Sequence, residues 1–105
     1  MYTLKYLPSA ANDIFDIEES LYRFSPLAAD KFIDALDEKV LDLTKQPLIY
    51  RIYEKRPYFR CMPLPYKYLC FYHVDEDTKQ IKIHRILHGK RNIPDILSND
   101  ENDIK

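Results

Sequence analysis

The residues best suited to chemistry lie together at positions 88–91, which read His-Gly-Lys-Arg. His88 can exchange a proton near neutral pH, and Lys90 and Arg91 are cations of the kind that hold phosphates. Gly89 is the only glycine in the chain, and glycine adopts backbone conformations that are strained in other residues. Two interpretations fit this segment: a site that acts on phosphate, and an exposed loop that leads into a helix.

A wider set of cations, interleaved with tyrosines, precedes this segment. Residues 45–91 hold eleven Lys and Arg against four Asp and Glu, a balance of +7 in a chain whose formal net charge is −1. Cations bind phosphates and tyrosine rings stack on unpaired bases, so this pattern predicts a surface for single-stranded RNA or for an acidic partner. Eight of these eleven cations form the predicted surface: Arg51, Lys55, Arg56, Arg60, Lys67, Arg85, Lys90 and Arg91.

Metal binding and thiol chemistry are disfavoured by spacing and context. His84 and His88 are expected on one side of a strand, but four residues separate them by ~13 Å, whereas each ligand must lie ~2 Å from a shared ion. Cys61 and Cys70 form neither a C-x-x-C pair nor a disulfide framework, so we expect reduced core residues in a cytoplasmic protein. We predict no metal, no cofactor and no membrane span.

The first half of the chain is predicted to form a strand and a helical hairpin. Residues 2–7 alternate as a strand does, and Ser9 is predicted to cap a helix that continues to Phe24. Ser25-Pro26 starts a second helix, which ends at Gln46-Pro47. Each helix has one apolar stripe to bury and one acidic face for water. The phenylalanines expected in the core are Phe15, Phe24 and Phe32.

The second half is predicted to form a mainly antiparallel sheet. Residues 58–64 form a strand bent by Pro63 and Pro65, and prolines belong on the edge of a sheet. Residues 66–74 and 79–88 are rich in aromatic and branched side chains, and the polar turn between them predicts that they are two long neighbouring strands.

These elements predict one α+β domain with the order β-α-α-β-β-β and a short helical end, in which the hairpin packs on the sheet. With 105 residues, the chain is long enough for one core and too short for a second domain. We assign the domain to residues 1–97. Residues 98–105 are polar and acidic, and we expect them to form a frayed tail.

The order of elements and two sequence runs resemble the RelE/ParE family of bacterial toxins. The runs are residues 66–74, Y-K-Y-L-C-F-Y-H-V, and residues 83–92, I-H-R-I-L-H-G-K-R-N. The resemblance covers residues 2–97, and the ending L-H-G-x-R followed by Asp or Asn is fairly specific to the ParE-like branch. It implies a growth-inhibiting toxin of a type II toxin–antitoxin system, neutralised by a small antitoxin encoded beside it. Whether the two form a larger hetero-oligomer is left open.

The family divides by target, and this chain matches the nuclease pattern only in part. RelE-like members cleave mRNA in the ribosome, whereas ParE-like members poison DNA gyrase and are not nucleases. By motif, Arg60 and Arg91 fall on two basic positions of the nucleases. Their third-strand arginine, however, falls on Leu69, and their C-terminal tyrosine on Leu97. The resemblance therefore favours an inhibitor that acts by binding gyrase.

Two alternatives remain beside gyrase binding. A ribosome-dependent mRNA interferase needs a proton acceptor, a proton donor and cations around the phosphorane, and its candidate catalytic residues are Arg60, His88 and Arg91. The second alternative is a non-toxic RNA-binding module. The residues predicted to bind the target or the antitoxin are Arg51, Arg56, Arg60, Lys67, Arg85, His88, Lys90 and Arg91.

Overall fold

A helical hairpin covers one face of a four-stranded sheet, and a third helix packs on the opposite face. The structure, a computed structural model, describes residues 1–103, with side chains described up to residue 100. This arrangement confirms the predicted α+β class and the β-α-α-β-β-β order. The elements are β1 (Thr3–Tyr6), α1 (Pro8–Phe24), α2 (Pro26–Lys45), β2 (Arg60–Leu64), β3 (Tyr68–Asp75), β4 (Gln80–His88) and α3 (Ile93–Asp103).

The sheet has the strand order β1-β4-β3-β2. β1 runs parallel to β4, and the other two pairs are antiparallel. The hairpin carries the chain from one edge strand, β1, to the other, β2. Pro63 lies within β2, which confirms the edge position predicted from the prolines, since an edge strand tolerates a missing N–H.

The hairpin buries its predicted apolar stripes against the sheet. Ser25 lies between the helices, and its Oγ accepts a hydrogen bond from the backbone N–H of Ala28 at 3.4 Å, which confirms the predicted helix start. Each large side chain that is fully buried in this core contributes about 1.5–3 kcal/mol. Core residues from the helices include Ile17, Leu21, Phe32, Leu36, Val40 and Leu43, and those from the strands include Met62, Cys70, Tyr72, Ile81, Ile83 and Ile86.

The start of α1 differs from the prediction. The helix begins at Pro8 with Leu7 at the N-cap, so Ser9 lies inside the first turn and the predicted cap is wrong. Proline suits the first helical position because its φ is already helical and the N–H it lacks would have no partner there. Leu7 supplies no side-chain hydrogen bond to the helix start. The first backbone donors of α1 are thus left without a side-chain cap.

Two of the three phenylalanines predicted for the core are exposed instead. Phe32 is fully buried, but Phe15 is 63% exposed and Phe24 is 82% exposed. Phe15 lies two residues from the core-facing Ile17, which turns it by about 200° towards solvent. Phe24 is the last residue of α1, at the turn into α2.

α3 covers the second face of the sheet and is longer than predicted. Five side chains of a smaller apolar cluster are buried there, namely Phe59, Phe71, Leu87, Ile93 and Leu97. The helix continues past Leu97 to Asp103, so residues 98–103, which were predicted to belong to a frayed tail, are helical. Residues 104 and 105 of the predicted tail lie outside the described residues, and the assignment of residues 1–97 to the domain stays a prediction. Within residues 1–103, no helix has the length and hydrophobicity needed to cross a membrane.

The pairing of β3 with β4 shifts by one residue in the middle of the two strands. Phe71 pairs with Arg85 and Tyr72 pairs with Ile83, so His84 is the extra residue of a bulge. The bulge interrupts the alternation of faces along β4. Ile83 and Ile86 both belong to the core under the hairpin, although three positions separate them.

The bulge also places His84 and His88 on different faces, so their predicted position on one side of the strand is wrong. The His84 ring contacts Phe59 on the α3 side of the sheet, with centroids 5.1 Å apart. His88 pairs with Tyr68 and contacts its ring, with centroids 5.2 Å apart, and Tyr68 packs against the core under the hairpin.

Candidate functional site

Two exposed turns meet at one end of the sheet, and together they carry three exposed cations, Lys67, Lys90 and Arg91. The backbone N–H of Gly89, after β4, donates a hydrogen bond of 2.9 Å to the carbonyl of Lys67, before β3. This bond fixes the turn at 66–67 against the turn at 89–91. We call the exposed side chains of Tyr66, Lys67, Lys90 and Arg91, together with Gly89, the two-turn tip.

The strained backbone of the tip belongs to Tyr66 and Lys67 and not to Gly89. Tyr66 has φ 63° and Lys67 has φ 65°, and the φ of Gly89 is not positive. The left-handed conformation costs a non-glycine residue about 1–2 kcal/mol. Strain of this kind persists where surrounding contacts hold it and is concentrated at functional sites. The prediction that Gly89 supplies the unusual conformation here is therefore wrong.

His88 stands directly beneath the tip and organises the turn that follows it. Its Nδ1 accepts a hydrogen bond of 3.2 Å from the backbone N–H of Lys90, and its carbonyl accepts one of 3.0 Å from the N–H of Arg91. Accepting at Nδ1 places the proton of a neutral ring on Nε2. His88 thus orients Lys90 and Arg91.

Arg60 is not brought to the tip. It pairs with Tyr72, whereas His88 pairs with Tyr68, four residues or ~13 Å along β3. Its Nη1 donates a hydrogen bond of 2.8 Å to the carbonyl of Tyr50. Of the three candidate catalytic residues, the structure places only His88 and Arg91 side by side.

Two other cations of the predicted binding set hold the fold together. Arg56 donates from Nε to the carbonyl of Pro94 at 3.1 Å and so ties the loop before β2 to α3. Arg85 donates to both carboxylate oxygens of Asp13 and lies 3.5 Å from Asp100, and the hydrogen bonds that Asp13 accepts raise the pKa of its guanidinium. These two side chains are occupied by structural contacts.

Arg51 borders a second surface that the sequence did not reveal. An open groove of about 620 Å³ follows the loop 49–55 beside β2. Its wall combines the cations Arg51 and Lys55 with Ile49 and Ile52, which are 58% and 47% exposed. The signal in the sequence was the run L-I-Y-R-I, which places apolar residues in a segment that the sequence leaves open between a loop and a short irregular strand. We call this surface the loop groove.

The two positions that fail to match the nuclease pattern are packed away from solvent. Leu97 is fully buried in the cluster that α3 forms on the sheet, and Leu69 is half-buried against the same cluster. Burial also raises the pKa of the Cys61 thiol to about 11 and raises that of Cys70. Both thiols are therefore protonated and unreactive at neutral pH. Residues 1–100 contain no group of three His, Cys, Asp or Glu side chains arranged to hold a metal ion.

This architecture is similar to that of solved chains from bacterial toxin–antitoxin systems. It is similar to the chromosomal ParDE system of P. aeruginosa, with TM-score 0.69 and 26% identity over 84% of this chain and 96% of that chain. Its fold is also that of the RelBE2 complex of Mycobacterium tuberculosis (TM-score 0.59, 19% identity, 83% of this chain and 96% of that one). The E. coli RelBE complex also has this fold, with TM-score 0.61 and 14% identity over 87% of this chain and 100% of that chain.

The sequence also identifies the family. The model of the family described as the ParE toxin of the type II toxin–antitoxin system parDE matches residues 4–93, and the chain belongs to this family. Comparison with curated protein sequences finds no match. The predicted membership in the RelE/ParE family and the predicted role as a type II toxin are thus confirmed.

Proposed function

We propose that this toxin inhibits growth by binding its target without cleaving RNA, and that the target is DNA gyrase. The observation that carries the proposal is the burial of Leu97, a residue of α3, against the sheet, at the position where the nuclease pattern has a C-terminal tyrosine. Gyrase is the target that the resemblance to ParE-like toxins implies. The two-turn tip is the surface proposed to contact it.

The arrangement around His88 argues against cleavage. Attack by a 2′-hydroxyl requires a base, an acid and cations within about 3 Å of the reacting atoms. His88 has its Nδ1 occupied by Lys90, and Arg60 is held ~13 Å further along the sheet. Leu69 supplies neither charge nor proton. The tip therefore offers cations for binding and lacks the full set for catalysis.

The tip has the chemistry of a contact surface. Tyr66 is 40% exposed, and Lys67, Lys90 and Arg91 beside it are exposed cations. Tyrosine and arginine are enriched among the residues that dominate protein interfaces. Its positive charge also favours encounter with an acidic surface, or with the phosphates of gyrase-bound DNA.

We further propose that the cognate antitoxin covers the loop groove and the two-turn tip. The loop groove joins exposed isoleucines to Arg51 and Lys55, and the tip adds further cations. An amphipathic segment with acidic residues is complementary to both. A segment that folds as it binds can follow such an extended surface.

The test is a brief induction of the toxin in bacteria with two readouts, gyrase-dependent DNA breaks and mRNA cleavage within translated codons. The proposal predicts DNA breaks and no codon-phased cleavage. Arg91→Ala is expected to relieve growth inhibition, while Lys31→Ala, which removes an exposed cation of α2, serves as the matched control.

An mRNA interferase remains the second candidate because His88 and Arg91 are adjacent. Codon-phased cleavage that disappears in His88→Ala or Arg91→Ala would replace gyrase binding by this activity. His88→Gln retains an acceptor for the N–H of Lys90, so it preserves the turn but removes the base. Loss of cleavage in this variant would therefore show that His88 transfers a proton.

A further inference from the structure

A second polar cavity lies at the end of β4 opposite the two-turn tip. It has a volume of about 330 Å³ and lies between the start of α1, the strands β1 and β4, and α3. Lys82 is six residues from His88 along β4, or ~20 Å, so the cavity is separate from the proposed target surface. Its polar lining consists of Lys5, Ser9, Tyr58, Lys82, His84 and Asp100.

The cavity gathers positive charge on neighbouring strands. Lys5 of β1 is directly opposite Lys82 of β4, and Lys82 is in turn opposite His73 of β3. Like charges placed directly opposite each other on a sheet are destabilising. The ion pairs described within residues 1–100 involve other cations. The charge of Lys82 also acts on Asp75 at the end of β3, and a bound anion would further offset the repulsion between the two lysines.

The start of α1 adds a partial positive charge. α1 is 17 residues long, its N-cap Leu7 provides no side-chain acceptor, and Pro8 follows as the first helical residue. The orphan N–H groups at a helix start attract anions. Ser9 brings its hydroxyl to the same cavity.

His84 is the independent indication that a ligand belongs here. It lines the cavity and is only 1% exposed, and its Nε2 has no hydrogen-bond partner in the part of the chain that the structure describes. Buried polar atoms are almost always paired, so an orphan suggests a partner that is supplied from outside. Its Nδ1 lies 4.0 Å from Asp100, whose negative charge is offset by Arg85 at 3.5 Å.

We propose that this cavity binds a phosphoryl group, held by Lys5, Lys82, the first turn of α1 and Nε2 of His84. A tetrahedral oxyanion accepts hydrogen bonds from several directions, which suits donors that come from two strands and a helix start. The group would offset the repulsion between the opposed lysines and would give the orphan nitrogen a partner. Its source is either free phosphate or the phosphate of a mononucleotide.

Titration of the purified full chain with inorganic phosphate and with AMP, followed by calorimetry and by NMR of the histidine rings, tests the proposal. We expect saturable binding below about 10 mM and a shift of the His84 ring signals. Lys5→Gln and Lys82→Gln, which alter an exposed and a half-buried side chain, should each weaken binding about tenfold, and Lys31→Gln should not. Tighter binding of AMP assigns the nucleotide as the source, and equal affinity assigns the free anion.

Two results would overturn the proposal. One is the absence of any saturable binding by the folded chain at these concentrations. The other is binding that is equally strong in Lys5→Gln, Lys82→Gln and Lys31→Gln, which would show general attraction to a basic surface. His84→Gln, which retains a donor, should bind more weakly without loss of the fold, as a spectrum of the unliganded variant would show.

Discussion

Asp13 of α1 and Arg85 of β4 form a two-pronged ion pair in which Nε lies 2.7 Å from Oδ2 and Nη2 lies 2.9 Å from Oδ1. Oδ2 also accepts a hydrogen bond of 2.9 Å from the backbone N–H of Ile86. β1 pairs with β4 only as far as Ile83. Beyond that point, the carboxylate of Asp13 accepts the N–H of Ile86, which has no partner on β1. The contact joins the hairpin to the strand that leads to the two-turn tip.

Asp13→Ala is expected to lower the free energy of unfolding by about 3 kcal/mol, because it leaves a mostly buried guanidinium and a strand N–H without their main partner. Chemical denaturation of the purified chain measures this loss. Asp16→Ala, at an exposed position of the same helix, is the control and should change stability by less than about 0.5 kcal/mol. Equal stability of the two variants would contradict the structural role of the pair.

His84 should make the stability depend on pH. Burial, with the nearby His73 and Lys82, lowers the pKa of His84 from 6.5 to about 4. The unfolded chain therefore takes up a proton that the folded chain excludes. The stabilising effect is complete above about pH 6.5 and is lost as the pH falls towards 4, on the order of 3 kcal/mol in total.

The comparison of wild type with His84→Gln isolates this effect, because the carboxylates titrate in both. In phosphate-free buffer, the free energy of unfolding should fall more steeply between pH 6.5 and 4 for the wild type than for the variant. The same slope in both proteins would show that His84 takes up its proton in the folded state. His73→Gln serves as a second comparison, since His73 is only half-buried.

A substitution at Tyr66 should change the stability and the toxicity of the protein in opposite directions. Asparagine tolerates the left-handed conformation better than tyrosine, so Tyr66→Asn should stabilise the fold by about 0.5–1 kcal/mol while removing an exposed ring from the two-turn tip. We therefore expect a more stable protein that inhibits growth less. Tyr22→Asn, which alters an exposed tyrosine of α1, is the control for loss of a ring. A fully toxic Tyr66→Asn variant would remove Tyr66 from the proposed contact surface.

Hydrogen exchange locates the antitoxin. In complex with its cognate antitoxin, the chain should gain protection in the loop 49–55 and in residues 66–67 and 89–91, which border the loop groove and the tip. The exposed face of α1 that carries Phe15 should exchange as in the free toxin. Protection confined to α1 and the C-terminal residues would place the antitoxin elsewhere.

The sequence predicted the local features of the fold because those features depend on neighbouring residues. Ser25-Pro26 starts a helix through its own geometry, and the stripe Phe32, Leu36, Val40 and Leu43 has the period of a helix wherever it packs. The edge position of β2 followed from Pro63 for the same reason. Each inference used only local physical chemistry.

The features that sequence reasoning missed depend on distant contacts or on a break in a pattern. Nothing near Asp13 in the sequence indicates that it binds Arg85, 72 positions away. The bulge at His84 did leave a trace, since Ile81 and Ile83 are two residues apart but Ile86 follows after three. Reading that interval as a change of register would have separated His84 from His88. The strained turn at Tyr66 and Lys67 is fixed by a hydrogen bond from the N–H of Gly89, which follows β4 and is far away in the sequence.

The most direct test of the central claim is a supercoiling assay with purified DNA gyrase and the purified toxin. We predict that the wild type and Lys31→Ala inhibit supercoiling and trap DNA breaks, and that Lys90→Ala and Arg91→Ala each require about tenfold more protein for the same effect. Undiminished supercoiling at toxin concentrations well above those of gyrase, with all four proteins folded, would contradict the claim that this toxin acts by binding gyrase through the two-turn tip.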